Sequence, residues 1–87
     1  MKTFEFVAST PNGNVFSQTV LEMSVRGTEG SLGVRADHIP FITSVKGGTM
    51  RITTPDGDDL IANITDGILT VTKEKTTLLC GDFEITD

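Results

Sequence analysis

Apolar and polar positions alternate along most of the chain with a period of two, the signature of half-buried strands. In Thr3-Phe4-Glu5-Phe6-Val7-Ala8, the side chains of Phe4, Phe6 and Ala8 fall on one face. An extended run is predicted from Val15 to Arg26, where Leu21, Met23 and Val25 alternate with Glu22, Ser24 and Arg26. Further strands are predicted at Phe41 to Lys46, Met50 to Thr54, Leu60 to Ile64, Ile68 to Thr72 and Thr76 to Cys80, with a closing tail at Asp82 to Ile85. The punctuation between them is turn chemistry. Thr10-Pro11-Asn12-Gly13-Asn14, Pro55-Asp56-Gly57-Asp58 and Lys73-Glu74-Lys75 each separate two runs. Gly27 to Gly33 holds three glycines in seven residues and is predicted to be a loop or bulged segment. No window of ten or more residues shows a helical period.

Short strands with turns every eight to twelve residues predict an all-β fold: a small sandwich of two facing, mainly antiparallel sheets with about eight to ten strands. Fourteen threonines support extended backbone, since β-branched side chains are stiff at χ1. The 87 residues form a single domain, 1–87, with no repeat and no linker. A chain of this size buries only about 60–65% of its unfolded surface, so its stability margin is small.

Composition removes several functional classes. One cysteine excludes an internal disulfide and a four-Cys zinc site, and one histidine excludes a His-pair metal motif. A net charge of −5 argues against nucleic-acid and anionic-membrane binding, both of which need a positive field. No run of apolar residues exceeds three, so direct membrane insertion is not expected. His38 and Asp37 are sequence neighbours and form a poor orienting pair for a nucleophile. Cys80 lies in the apolar context Leu78-Leu79-Cys80 and reads as a small buried hydrophobe. The glycine pairs lack the Lys-Ser/Thr ending of a phosphate loop, and Asp56, Asp58 and Asp59 lack calcium-loop spacing. No catalytic residue, cofactor or metal is expected.

One segment is more specific. Residues 25–48 read VRGTEGSLGVRADHIPFITSVKGG. This resembles the signature of the epsilon subunit of F-type ATP synthases: a Gly-x-x-Gly-x-Leu-Gly stretch, a Pro-Gly-His-Ala-Pro stretch, then an apolar strand ending in Pro-Gly. The flanks agree. Thr10-Pro11-Asn12-Gly13-Asn14-Val15-Phe16 is similar to the family's opening, and Asp66-Gly67-Ile68-Leu69-Thr70-Val71 to its later Gly-Gly-Phe/Ile-Leu strand. The order and spacing hold from about residue 3 to 82.

The resemblance implies a non-catalytic rotor subunit of a proton- or sodium-driven synthase, joining gamma to the c-ring at the cytoplasmic face of the bacterial membrane. It implies that Glu29, Ser31 and His38 face the c-ring, and that Thr10, Ile42 and Thr43 face gamma. Typical members continue as a C-terminal helical hairpin that can inhibit hydrolysis or bind ATP. The sequence ends at Asp87, so the resemblance is to the β domain alone, with no hairpin and no ATP site expected. The pattern departs at Ser31, where the family commonly has Glu, at Ala36-Asp37, where it has Pro-Gly, and at Gly47, where it has Pro. Asp37 is the candidate to replace the charge missing at Ser31. The alternative is a free-standing β-sandwich interaction or regulatory module outside the synthase.

Overall fold

The computed structural model describes residues 2–27, 30–37 and 39–86. Ten strands run in chain order: β1 (Phe4–Thr10), β2 (Gly13–Val20), β3 (Glu22–Gly27), β4 (Gly30–Arg35), β5 (Phe41–Val45), β6 (Gly48–Thr53), β7 (Asp59–Ile64), β8 (Gly67–Val71), β9 (Lys75–Cys80) and β10 (Phe83–Ile85). The period-two pattern and the turn residues account for this order, and the predicted β-sandwich is what forms. Two five-stranded sheets face each other. One has the order β10-β7-β6-β3-β4 and the other β5-β8-β9-β1-β2. They meet at a corner, where Gly27 of β3 pairs with Val45 of β5. All pairings are antiparallel except β1 with β9.

The inward-pointing side chains make one core. Phe6, Ala8, Val20, Met23, Val34, Ile52, Ala62, Leu69 and Leu78 are fully covered. Phe4, Phe6 and Ala8 do share the buried face of β1. The open flank of the sandwich, between the edge strands β2 and β10, is closed by rings. Phe16 stacks 5.7 Å from Phe6 and 5.5 Å from Phe83, at tilts of 51° and 46°. These are favourable offset geometries.

Two expectations need correction. The run from Val15 to Arg26 is not one strand: the chain bends at Leu21, ending β2 and starting β3. Leu21 donates its amide to the carbonyl of Thr53 at 2.8 Å, so the bend is anchored to the end of β6. Gly27 to Gly33 is not a loop throughout. Gly30 opens β4 with φ 129°, and Gly33 lies inside the ladder opposite Ser24. A glycine inside a ladder carries no strand propensity of its own, so pairing with β3 decides the conformation there.

Candidate functional site

The two outer faces of the sandwich differ in chemistry. On the sheet β5-β8-β9-β1-β2, one row of outward positions crosses all five strands as Ile42, Thr70, Thr77, Val7 and Ser17. The next row reads Ser44, Ile68, Leu79, Ser9 and Asn14. None of these ten residues is charged, in a chain of 19 charged residues, and the row beyond them carries Glu5 opposite Lys75. The rows are also apolar at their centre. Ile42 is 71% exposed, Ile68 41% and Leu79 51%. Val7 is buried yet stands outside the main core cluster, covered within this outer surface. The opposite sheet presents Glu22, Arg26, Arg35, Arg51, Asp59 and Glu84 on its outer face, by the alternation of β3, β4, β6, β7 and β10.

A neutral, hydroxyl-bordered face with large exposed aliphatics is costly in water and cheap to cover. Burying each of the three exposed aliphatics stabilises a complex by about 1 kcal/mol or more. The surrounding Thr and Ser side chains keep their hydrogen bonds either to water or across an interface. The arrangement suits protein docking.

The residues singled out from sequence are distributed as follows. Ile42 lies on the neutral face. Thr43, next to it on β5, points to the opposite side, in register with Leu69 of β8, and is half-buried at the sheet edge. Its hydroxyl donates to the carbonyl of Ser44 at 3.3 Å. Thr10 lies at the far end of β1, where its hydroxyl accepts the amide of Asn12 at 3.1 Å and shapes the β1–β2 turn. The three therefore do not form one cluster. Ser31 is exposed on β4, opposite Arg26. Glu29 and His38 lie outside the described residues. Their described neighbours Gly30 and Asp37 sit at and just beyond opposite ends of β4.

Asp37 lies well away from Ser31. Ser31 and Arg35 are four positions apart along β4, roughly 13 Å at 3.3 Å per residue, and Asp37 follows beyond. Its carboxylate is already engaged by the Lys2 ammonium. That hydrogen bond holds the Asp37 carboxyl below its ordinary range, against an opposing desolvation and with smaller Coulombic help from Lys2 and Lys73. Asp37 also adopts φ 63°, the left-handed region where the family pattern has Gly, and its amide donates to the Lys73 carbonyl at 3.4 Å. Asp tolerates this conformation better than most side chains.

Ile68 and Leu79, the centre of the neutral face, were missed from sequence. The signal was present: their alternation places them outward, and the stretch from Phe6 to Leu21 is the longest uncharged run in the chain. Cys80 is buried, as expected. Its thiol donates to the Asp82 carbonyl at 3.3 Å, and burial is the main cause that pushes its pKa up. Among the described residues no group of three or more His, Cys, Asp or Glu side chains could hold a metal ion, and no helix is long and apolar enough to cross a membrane.

Comparison with known proteins gives a consistent result. Residues 3–86 match the family described as ATP synthase, Delta/Epsilon chain, beta-sandwich domain. The ATP synthase epsilon chain of Staphylococcus carnosus is 36% identical over 80 residues, covering 91% of this chain and 58% of the relative. The epsilon chain of Bacillus pumilus is 33% identical over 87 residues, covering 100% of this chain and 66% of the relative. The chain thus spans a little over half the length of the first curated relatives it matches. Among solved structures, a chain of the Euglena gracilis mitochondrial ATP synthase, determined as OSCP/F1/c-ring, superposes with TM-score 0.89 at 15% identity, covering 95% of this chain and 53% of that one. A chain of the Tetrahymena thermophila mitochondrial ATP synthase central stalk/c-ring superposes with TM-score 0.75 at 13% identity, covering 94% and 66%. At such identities the structural likeness speaks for the fold.

Proposed function

We propose that this chain, which belongs to the ATP synthase delta/epsilon β-sandwich family, is a central-stalk subunit that joins gamma to the c-ring of a proton- or sodium-translocating F-type synthase. Its contribution is mechanical. Torque generated at the ring passes through the sandwich to gamma, and closely packed sheets of low compressibility suit that duty. The chemistry of ATP synthesis belongs to other subunits, and the chain is part of the peripheral assembly on the cytoplasmic face of the membrane.

The observation that carries this reading is the neutral outer face of β5-β8-β9-β1-β2. Gamma docks there, with Ile42, Ile68 and Leu79 covered at the centre. Thr43 and Thr10 contribute from the sheet edge and the β1–β2 turn. The c-ring is met by the β3–β4 hairpin with Glu29 and Ser31, and by the β4–β5 loop with His38. Because Ser31 and Asp37 lie toward opposite ends of β4, the ring contact is an extended one along that strand's edge.

The test is co-purification of the 87-residue chain with gamma. Stable binding of the wild type and about tenfold or greater weakening in Leu79→Lys are expected. A folded wild-type chain that fails to retain gamma overturns the reading.

A further inference from the structure

The charged outer face carries two arginines that no described residue neutralises. Arg51 on β6 lies opposite Ser24 on β3. Arg26 is two residues beyond Ser24 on the same face of β3, and it and Arg51 line one depression. Arg35 is different: its Nε donates to Glu22 at 3.0 Å. Among the described residues neither Arg26 nor Arg51 has an ion pair, and both are exposed. Two like charges held side by side repel, although the chain has twelve acidic residues from which partners could have been drawn.

An open depression of about 320 Å³ lies between them. It spans four adjacent strands, with Ser31 on β4, Ser24 on β3, Thr49 on β6 and Ile61 on β7 along its walls. None of the three hydroxyls is hydrogen-bonded within the described residues. Gly33, opposite Ser24, keeps one side open: a Cβ there would meet nothing within 4 Å. The site therefore offers two guanidinium forks, three free hydroxyls and one aliphatic wall.

We propose that this depression receives a carboxylate side chain from an acidic loop of a protein partner, on the face opposite the neutral one. A planar carboxylate bridges two guanidiniums through charge-assisted hydrogen bonds, and the hydroxyls donate to its remaining lone pairs. Ile61 packs against the aliphatic stem of the incoming Asp or Glu. A membrane surface fits less well. Recognition of anionic headgroups takes clusters of about four to eight basic residues, whereas here two are free and Glu22, Glu84 and Asp59 share the face. The net charge of −5 repels an anionic surface at range, while a single salt-bridging side chain acts at contact. The proposal does not depend on what covers the neutral face, but it shares Ser31 with the proposed c-ring contact.

The experiment is an NMR titration of the isotope-labelled 87-residue chain with the capped peptide Ac-Gly-Asp-Glu-Gly-NH2. Saturable shifts at the Arg26 and Arg51 Nε–H groups and at the Ser31 amide are expected. They should be absent with the Asn-Gln peptide and several-fold weaker at high salt. The Arg26→Gln/Arg51→Gln chain should lose the response while keeping a wild-type spectrum elsewhere. Arg35→Gln, outside the depression, should leave binding within about twofold. The proposal is overturned by no shift with the acidic peptide, or by shifts that survive the double substitution. Arginine-dependent sedimentation with phosphatidylglycerol vesicles, in a chain indifferent to the peptide, would also overturn it and assign the site to lipid.

Discussion

Ile68 on β8 and Leu79 on β9 are direct cross-strand partners, and both point into solvent within the uncharged patch of the sheet's outer face. A cross-strand aliphatic pair stabilises its sheet by only a few tenths of a kcal/mol up to about 1 kcal/mol. Leu79→Lys should therefore shift the folding free energy by less than about 1 kcal/mol, read from a urea titration. The same substitution should weaken gamma binding about tenfold or more, because it places an unpaired ammonium where the partner needs a dry contact. Binding unchanged at that level would mean that gamma docks elsewhere.

A Cβ on Gly67 would lie 2.2 Å from the carbonyl oxygen of Leu79 and 3.0 Å from the Cβ of Cys80. Neither neighbour is a flexible side-chain tip, since both are held in the β8–β9 ladder. Gly67→Ala should destabilise by about 3 kcal/mol or more, enough to unfold much of so small a domain. Gly33→Ala, where the new methyl meets nothing within 4 Å, is the control and should change stability by less than about 1 kcal/mol. Equal effects in thermal melts would contradict this account.

Thr76 is 1% exposed, and its hydroxyl has no hydrogen-bond partner among the described residues. It points inward with Phe6 and Val71 on either side. Desolvating a hydroxyl without a partner costs about 1–3 kcal/mol. Thr76→Val keeps the shape and removes that cost, so stability should rise by about 1 kcal/mol. Thr76→Ser keeps the hydroxyl and loses the methyl, and should destabilise by a similar amount. Calorimetry of the two variants gives opposite signs if this holds.

Much of the fold was legible because strand periodicity reports burial directly. The face of Phe4, Phe6 and Ala8, the Pro55–Asp58 hairpin and the Lys73–Lys75 turn all follow from local chemistry. What was illegible depends on distant pairing. The bend at Leu21 is anchored by Thr53, more than thirty residues away, and the strand through Gly33 exists because β3 holds it. The candidate site was only partly legible for the same reason. A family motif points to Ile42 and Thr43 as neighbours, but the pleat sends them to opposite faces. Ile68 and Leu79 join Ile42 only after β5, β8 and β9 assemble.

Cys80 is the single thiol of the chain, 8% exposed, with its pKa raised chiefly by burial. The reactive species is the thiolate, so native protein at pH 8 should react with iodoacetamide far more slowly than a free thiol. Adding urea past the unfolding midpoint should restore ordinary reactivity. Rapid labelling of native protein would show that the ends of β9 and β10 open readily.

The Lys2 ammonium and Asp37 carboxylate bind the N-terminal segment to the β4–β5 connection. Asp37 has a folded pKa below its ordinary 3.8, so its stabilisation is present above that value and is lost as pH falls through the lower folded value. Lys2 has a folded pKa above its ordinary 10.5, so its share is present below that value and is lost as pH rises through the higher one. Between pH 5 and 9 the pair should therefore give no pH dependence. Both groups are exposed, so added salt should weaken the effect. Asp37→Asn should lower the neutral plateau slightly, by the small amount an exposed pair supplies, and remove the matching fall of a stability–pH profile below about pH 4. The backbone adds a second signature, because φ 63° suits Gly and penalises Ala. Asp37→Gly should thus be more stable than Asp37→Ala at every pH, although both lack the charge. If Ala proved equal to Gly, the left-handed geometry of Asp37 would be wrong; if Asn kept the full acid limb, the Lys2 pairing would be.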